Sequence, residues 1–108
     1  MELIDRETLK QKLDCKDNFK LVMVLGDDAF RAMHIPGSLH FSDIEEAMRE
    51  LSPEDEIVVY CSGPTCLASA TAYHFLVGRG YPHVKRYAGG LEMWHQAGFP
   101  LEGEMVKA

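Results

Sequence analysis

Two short runs of apolar residues restrict the fold of this chain more than any other feature of its sequence. Residues 19–25 and 57–60 are almost continuously apolar and contain several valines, a pattern typical of strands that are covered on both faces. Strands buried in this way belong to parallel sheets, whose connections cross over through helices. Segments 38–41 and 84–87 are two further strand candidates. We therefore expect a mainly parallel sheet at the centre of the molecule.

Four other segments have the apolar spacing of amphipathic helices. The first begins after Asp5, and the second begins after Ser42, which forms a capping box with Glu45. The third runs from about residue 67 to a left-handed stop at Gly80. The fourth follows residues 89–90 and ends near residue 98. Strands that alternate with helices predict an α/β fold with right-handed crossovers.

The length and the net charge of the chain limit the number of domains and the classes of binding partner that it can have. The chain has 108 residues, of which 46% are hydrophobic and 26% charged, so a single globular domain over residues 1–108 is expected. Eleven Lys and Arg residues against 17 Asp and Glu residues give a net charge of -6. No run of basic residues offsets this charge, so we expect neither nucleic acid nor a membrane as a partner. The oligomeric state is not predicted.

The first residues and the cysteines indicate the compartment. Residues 1–7 hold no long apolar stretch of the kind found in signal peptides, and the longest apolar run, 21–25, is too short to cross a bilayer. We therefore expect a cytoplasmic protein whose three cysteines are free thiols. Cys15 has an acidic neighbour and is assigned no role. The five histidines lack the spacing of metal ligands, so no metal is expected.

Cys61 is the candidate nucleophile. It directly follows the apolar run 57–60, where ligands of parallel sheets bind, and it opens a loop that leads into the third helix. The backbone N–H groups of this loop and the helix dipole should stabilise a thiolate. We expect Gly63 to adopt the unusual backbone angles of a tight loop. In the simpler interpretation, Cys61 packs as a small apolar residue. The loop residues are Ser62, Gly63, Pro64, Thr65, Cys66 and Leu67, and only Pro64 lacks an N–H group.

The order of three motifs resembles the rhodanese family of single-domain sulfurtransferases. The cysteine loop is similar to the family's active-site loop, and residues 34–38, His-Ile-Pro-Gly-Ser after Phe30, are similar to its Pro-Gly turn. Residues 89–94 and 98–100 resemble its Gly-Gly-x-x-x-Trp and Gly-x-Pro ending. The resemblance covers about residues 19–102. It implies about five parallel strands with helices on both faces of the sheet.

The resemblance also implies a two-step reaction on Cys61. The Cys61 thiolate would take a sulfane sulfur from thiosulfate, a polysulfide or a protein persulfide and hold it as a persulfide. A thiol or cyanide acceptor, either a small molecule or a partner protein, would then remove that sulfur. Neither a metal nor an organic cofactor is implied.

The sequence departs from the family at the positions that bind the donor. Many members carry Arg five residues after the cysteine, where this chain has Cys66, and no Lys or Arg lies between residues 57 and 78. Losing one charge-assisted contact costs about 1.5 to 3 kcal/mol, which predicts weak binding of thiosulfate. The Asp-x-Arg that follows the first strand in the family is also absent, and Arg31 is the nearest basic residue there.

Two alternatives concern Cys66 and the reaction class. Cys66 is either a resolving thiol for Cys61 or a small helix residue that points at the sheet. The alternative function is a non-catalytic or redox-sensing module, in which the Cys61/Cys66 pair forms a reversible disulfide or the pocket only binds a partner. Phosphatases and arsenate reductases of the same superfamily need Arg at the position of Leu67, which disfavours that chemistry.

Overall fold

The computed structural model describes residues 1–41 and 43–106, with residue 44 described by its backbone alone. Five helices and three strands follow one another in this part of the chain. In chain order they are α1 (Arg6–Asp14), β1 (Lys20–Met23), α2 (Asp27–Ala32), α3 (Ile44–Glu50), β2 (Ile57–Tyr60), α4 (Ala68–Gly78), β3 (Val84–Tyr87) and α5 (Gly90–Gln96). Within the described residues, no helix has the length and apolar character needed to cross a membrane.

The three strands form a parallel sheet in the order β1, β2, β3. The expectation of about five strands is only partly met. The described residues form three strands, and each edge of this sheet is extended by a single paired residue and not by a further strand. Leu39 pairs in parallel with Val22 beyond β1, and Leu3 pairs in parallel with Arg86 beyond β3. The segment at Leu3 is cut short by the start of α1, and the segment at Leu39 begins only after the turn at residues 35–38. The strand predicted over residues 38–41 is therefore reduced to the single bridge at Leu39.

Helices cover both faces of the sheet, as the continuous apolar runs predicted. Successive residues of a strand point to opposite faces, and all four residues of β2 are buried. Val58 and Tyr60 belong to a core cluster with Leu9 of α1 and Trp94 of α5. The alternate residues of β2, Ile57 and Val59, belong to a second cluster with Ala47 of α3 and Leu76 of α4. Burial on both faces explains why the run has no polar residue.

The helix ends agree with the sequence in most places. The Asp5 carboxylate accepts a hydrogen bond from the Thr8 N–H at 2.7 Å and caps α1, and Gly80 has the predicted left-handed backbone with φ of 92°. The predicted cap of α3, Ser42, lies outside the described residues, and Asp43 caps that helix through the Glu46 N–H. Helix α2 was not predicted, because its six residues include no buried side chain.

The turn at residues 34–38 is fastened to the end of β2. The Nδ1 N–H of His34 donates to the Phe30 carbonyl at 2.7 Å. The Ile35 N–H donates to the Tyr60 hydroxyl at 3.1 Å, and that hydroxyl donates to the Ser38 Oγ at 2.9 Å. Burial raises the pKa of Tyr60 to about 12, so the hydroxyl keeps its proton. This turn therefore has a structural role in holding β2.

The start of α5 packs directly on the residues that follow β2. The Leu91 N–H donates to the Cys61 carbonyl at 3.0 Å, and the Glu92 N–H donates to the Ser62 carbonyl at 2.8 Å. A Cβ atom at Gly90 would lie 2.6 Å from both the Cys61 carbonyl oxygen and the Gly63 nitrogen. The backbone of Gly90 is also left-handed, with φ of 62°. Only glycine fits where these two segments meet.

We predict that Gly90→Ala destabilises the protein. The left-handed backbone alone costs about 1 to 3 kcal/mol for a residue with a Cβ, and the clash with the segment after β2 adds to this cost. The free energy of unfolding, measured with urea, checks the prediction. Gly78→Ala is the matched control, since a Cβ there meets nothing within 4 Å. Equal stability of the two variants would contradict the close packing at Gly90.

Candidate active site

Cys61 lies where β2 ends and the loop of residues 61–67 begins. Its side chain is only 1% exposed. The Cys61 Sγ lies within hydrogen-bond distance of two polar atoms, the Cys66 carbonyl oxygen at 3.4 Å and the Ser69 Oγ at 3.4 Å, which share its single S–H proton. Neither core cluster includes Cys61. The thiol is therefore buried at the base of the loop, with two polar atoms among its neighbours.

Cys66 is partly exposed, and its thiolate is well stabilised. A hydrogen bond from the Cys61 side chain makes the largest contribution, followed by the Ala68 N–H and then by the N–H and hydroxyl of Ser62. Together they lower the pKa of Cys66 to about 7. A substantial fraction of this thiol is therefore ionised at neutral pH. The sequence predicted that the loop amides surround Cys61, whereas the structure directs those of Ser62 and Ala68 to Cys66.

Other N–H groups of the loop remain available to an anion. The Cys66 N–H closes a turn onto the Gly63 carbonyl at 3.1 Å, so it is not one of them. In the described part of the chain, no backbone carbonyl accepts from the N–H groups of Gly63, Thr65 or Leu67. Pro64 and Leu67 are both exposed on this loop. Ser62 and Thr65 are exposed as well, so the fully exposed side chains of the loop are uncharged.

Gly63 does not have the unusual backbone angles that were expected of it. Its φ is not positive, so the loop does not need the conformational freedom of glycine at this position. Instead, a Cβ atom at Gly63 would lie 2.6 Å from the Glu92 Oε2. The missing side chain makes room for a carboxylate from α5. A negative charge therefore lies against the loop, beside the N–H groups.

Arg86 of β3 is the residue that sequence reasoning missed. Its Nε donates to the Ser69 Oγ at 2.9 Å, and its Nη2 donates to the Cys66 carbonyl at 3.1 Å. The loop thus has a basic partner, although no Lys or Arg lies in its own segment. The only sequence signal was a pair of basic residues inside a short strand candidate. Arg31, the basic residue considered earlier, pairs with Asp28 at an exposed position.

The structure also shows where Trp94 and Cys15 lie and whether possible metal ligands come together. Trp94 is fully buried, and its indole N–H donates to the Pro100 carbonyl at 2.8 Å, so it belongs to the core. Cys15 is exposed and distant in sequence from the loop. Among residues 1–41 and 43–106, no three His, Cys, Asp or Glu side chains come together as a metal site.

Comparison with known proteins identifies a family model and several relatives. The model of the rhodanese-like domain matches residues 5–97. A protein named thiosulfate sulfurtransferase GlpE from Pseudomonas syringae is 38% identical over 84 residues, which are 76% of this chain and 76% of that protein.

Two solved structures share the fold. The BH2092 protein of Bacillus halodurans has a TM-score of 0.89 at 26% identity, over 96% of this chain and 78% of that one. The rhodanese-like domain of the Anabaena protein Alr3790 has a TM-score of 0.87 at 25% identity, over 100% of this chain and 87% of that one. The predicted type of fold is confirmed by these structures.

We predict that the Cys66 thiol reacts with iodoacetamide with a half-maximal rate at about pH 7, because its pKa is lowered to about 7. Below this pH the thiol is protonated and the rate falls, and above it the rate reaches a plateau. Peptide fragmentation by mass spectrometry assigns the label to Cys66. Cys66→Ser is the control that removes this component. A half-maximal rate at or above about pH 8.5, the ordinary value for a cysteine, would contradict the stabilisation of the thiolate.

Proposed function

The chain belongs to the family of rhodanese-like domains, and on this premise we propose that it is a sulfurtransferase that carries sulfane sulfur as a persulfide on Cys61. The observation that carries the proposal is the loop after β2, which combines two thiols with unused backbone N–H groups. Such a loop can stabilise a sulfur anion before and after transfer. The relative named a thiosulfate sulfurtransferase supports the same class of reaction.

The proposed reaction has two displacement steps. The Cys61 thiolate attacks the outer sulfur of the donor, a new S–S bond forms, and the donor's own S–S bond breaks. The leaving group, a thiolate or sulfite, takes the electron pair of the broken bond. An acceptor thiolate or cyanide then attacks the outer sulfur of the persulfide and releases Cys61 as a thiolate. No net oxidation occurs on the protein, and the loop N–H groups stabilise the charge that stays on sulfur.

The charges around the loop favour some donors over others. The exposed surface of the loop carries Leu67, which is 70% exposed, and the carboxylate of Glu92 lies against Gly63. A dianion such as thiosulfate would meet this carboxylate and no basic residue of the loop segment. A donor with less charge, such as an organic or protein-bound persulfide, fits this surface better. We propose this class of donor, with a thiol as the acceptor.

A second candidate function follows from the position of Cys66. Its thiolate is partly exposed and hydrogen-bonds to the buried Cys61 thiol. A hydroperoxide would oxidise the Cys66 thiolate to a sulfenic acid and leave as an alcohol. Cys61 would then attack the Cys66 sulfur, forming a disulfide and releasing water. In this case the domain is a redox sensor that uses the Cys61/Cys66 pair.

We predict that a polysulfide donor adds one sulfur to Cys61. Wild type, Cys61→Ser and Cys66→Ser are treated side by side, and intact mass with peptide fragmentation locates the added sulfur. Cys61→Ser abolishes loading, because the nucleophile is removed, whereas Cys66→Ser leaves the initial loading largely intact. A stable intramolecular disulfide without release of sulfur to an added thiol would favour the redox sensor. Undiminished loading of Cys61→Ser would contradict the assignment of Cys61.

A further inference from the structure

We propose that Arg86 is a positioning residue for the sulfur of Cys61, acting through the Ser69 hydroxyl and the Cys66 carbonyl. The inference deepens the proposed sulfur transfer and rests on it for its biological meaning. Arg86 supplies from a neighbouring strand the positive charge that the loop itself lacks. It does so from β3, through Ser69 of α4 and the Cys66 carbonyl.

The contacts of Cys61 and Arg86 converge on the same two atoms. The Cys61 Sγ lies 3.4 Å from the Ser69 Oγ and 3.4 Å from the Cys66 carbonyl oxygen. Arg86 donates to the same hydroxyl at 2.9 Å and to the same carbonyl at 3.1 Å. The planar guanidinium, with several N–H groups in fixed directions, suits this double contact. Both polar neighbours of the thiol are therefore fixed by one cation.

Ser69 passes the effect of Arg86 to the sulfur. It is fully buried, and a hydroxyl has one proton to donate and two lone pairs that accept. Arg86 occupies a lone pair of the Ser69 oxygen. While Cys61 is a thiol, that oxygen is one of the acceptors within reach of its single S–H proton. Once the sulfur is an anion, the Ser69 O–H turns to donate to it, and the nearby guanidinium strengthens this hydrogen bond.

The backbone of β3 keeps Arg86 in place. Arg86 pairs with Val59 in β2, two residues before Cys61. On its other side, the Arg86 N–H donates to the Glu2 carbonyl at 2.9 Å, and the Arg86 carbonyl accepts from the Ile4 N–H at 3.1 Å. The single-residue pairing at this edge of the sheet thus has a use, since it fixes the strand that carries the guanidinium.

Three ionisable side chains contact the cysteine loop in the described part of the chain. Cys66 belongs to the loop, Arg86 comes from β3, and Glu92 comes from α5 and packs against Gly63. Because the hydrogen bonds of Arg86 go to the Ser69 hydroxyl and the Cys66 carbonyl, we assign it to positioning the sulfur and not to binding the donor. Its loss should slow the reaction of Cys61 and leave the KM for the donor unchanged.

The experiment compares Arg86→Met, Arg86→Lys and Ser69→Ala with wild type by alkylation of Cys61, which needs no sulfur donor. The alkylation rate is measured over a range of pH, and peptide fragmentation shows whether the label is on Cys61 or on Cys66. We expect Arg86→Met and Ser69→Ala to slow Cys61 alkylation at pH 7 about tenfold, since a charge-assisted hydrogen bond is lost. In both variants, the pH dependence of the Cys61 alkylation rate moves to higher pH. Arg86→Lys recovers part of the rate, because the ammonium keeps the charge but cannot form the double contact.

A merely structural role of Arg86 predicts the opposite direction. A loosened loop would expose Cys61 and speed its alkylation. Arg49→Met, which removes an exposed arginine at the end of α3, is the matched control and leaves the rate unchanged.

The inference is overturned if folded Ser69→Ala or Arg86→Met alkylates Cys61 at the wild-type rate or faster, or if Arg86→Lys is no better than Arg86→Met. Failure of wild type to accept sulfur would instead overturn the proposed function alone.

Discussion

The contact between Gly90 and the backbone of residues 61–63 is the constraint on which the rest of the site depends. Two backbone hydrogen bonds from the first turn of α5 fix the Cys61 and Ser62 carbonyls. With both carbonyls held by α5, the loop is fixed at its start. Arg86 holds the same loop near its end, through the Cys66 carbonyl. A loop fixed at both ends can hold several N–H groups without a backbone acceptor, so that they are free to bind an anion.

This arrangement gives the two thiols different environments. Cys61 is buried, and its polar neighbours are held by a cation from β3. Cys66 is partly exposed, and N–H groups of the loop and of α4 stabilise its thiolate. The positive charge of Arg86 contacts the loop at the Cys66 carbonyl, and the carboxylate of Glu92 lies against Gly63. This distribution of charge supports the proposal that the donor carries little negative charge.

Local patterns predicted most of the fold and the position of the cysteine loop. The apolar runs indicated a parallel sheet because burial on both faces removes polar residues from a strand. They did not show how short the edge pairings are. Leu3 and Leu39 each form a single bridge with the neighbouring strand, and an apolar run does not reveal how many of its residues pair. Helix α2 was not predicted, because it buries no side chain and so has no apolar spacing in its sequence. Arg86 could not be assigned to the loop, because its place depends on the register between β2 and β3. The orientation of the Ser62 and Ala68 amides toward Cys66 likewise depends on side-chain packing.

A high-resolution crystal structure of the protein after treatment with polysulfide tests the central claim most directly. The account predicts one extra sulfur atom bonded to the Cys61 Sγ, within hydrogen-bond distance of loop N–H groups, with the contacts of Arg86 to Ser69 and Cys66 intact. A disulfide between Cys61 and Cys66, or an extra sulfur on Cys66 beside an unmodified Cys61, would contradict it.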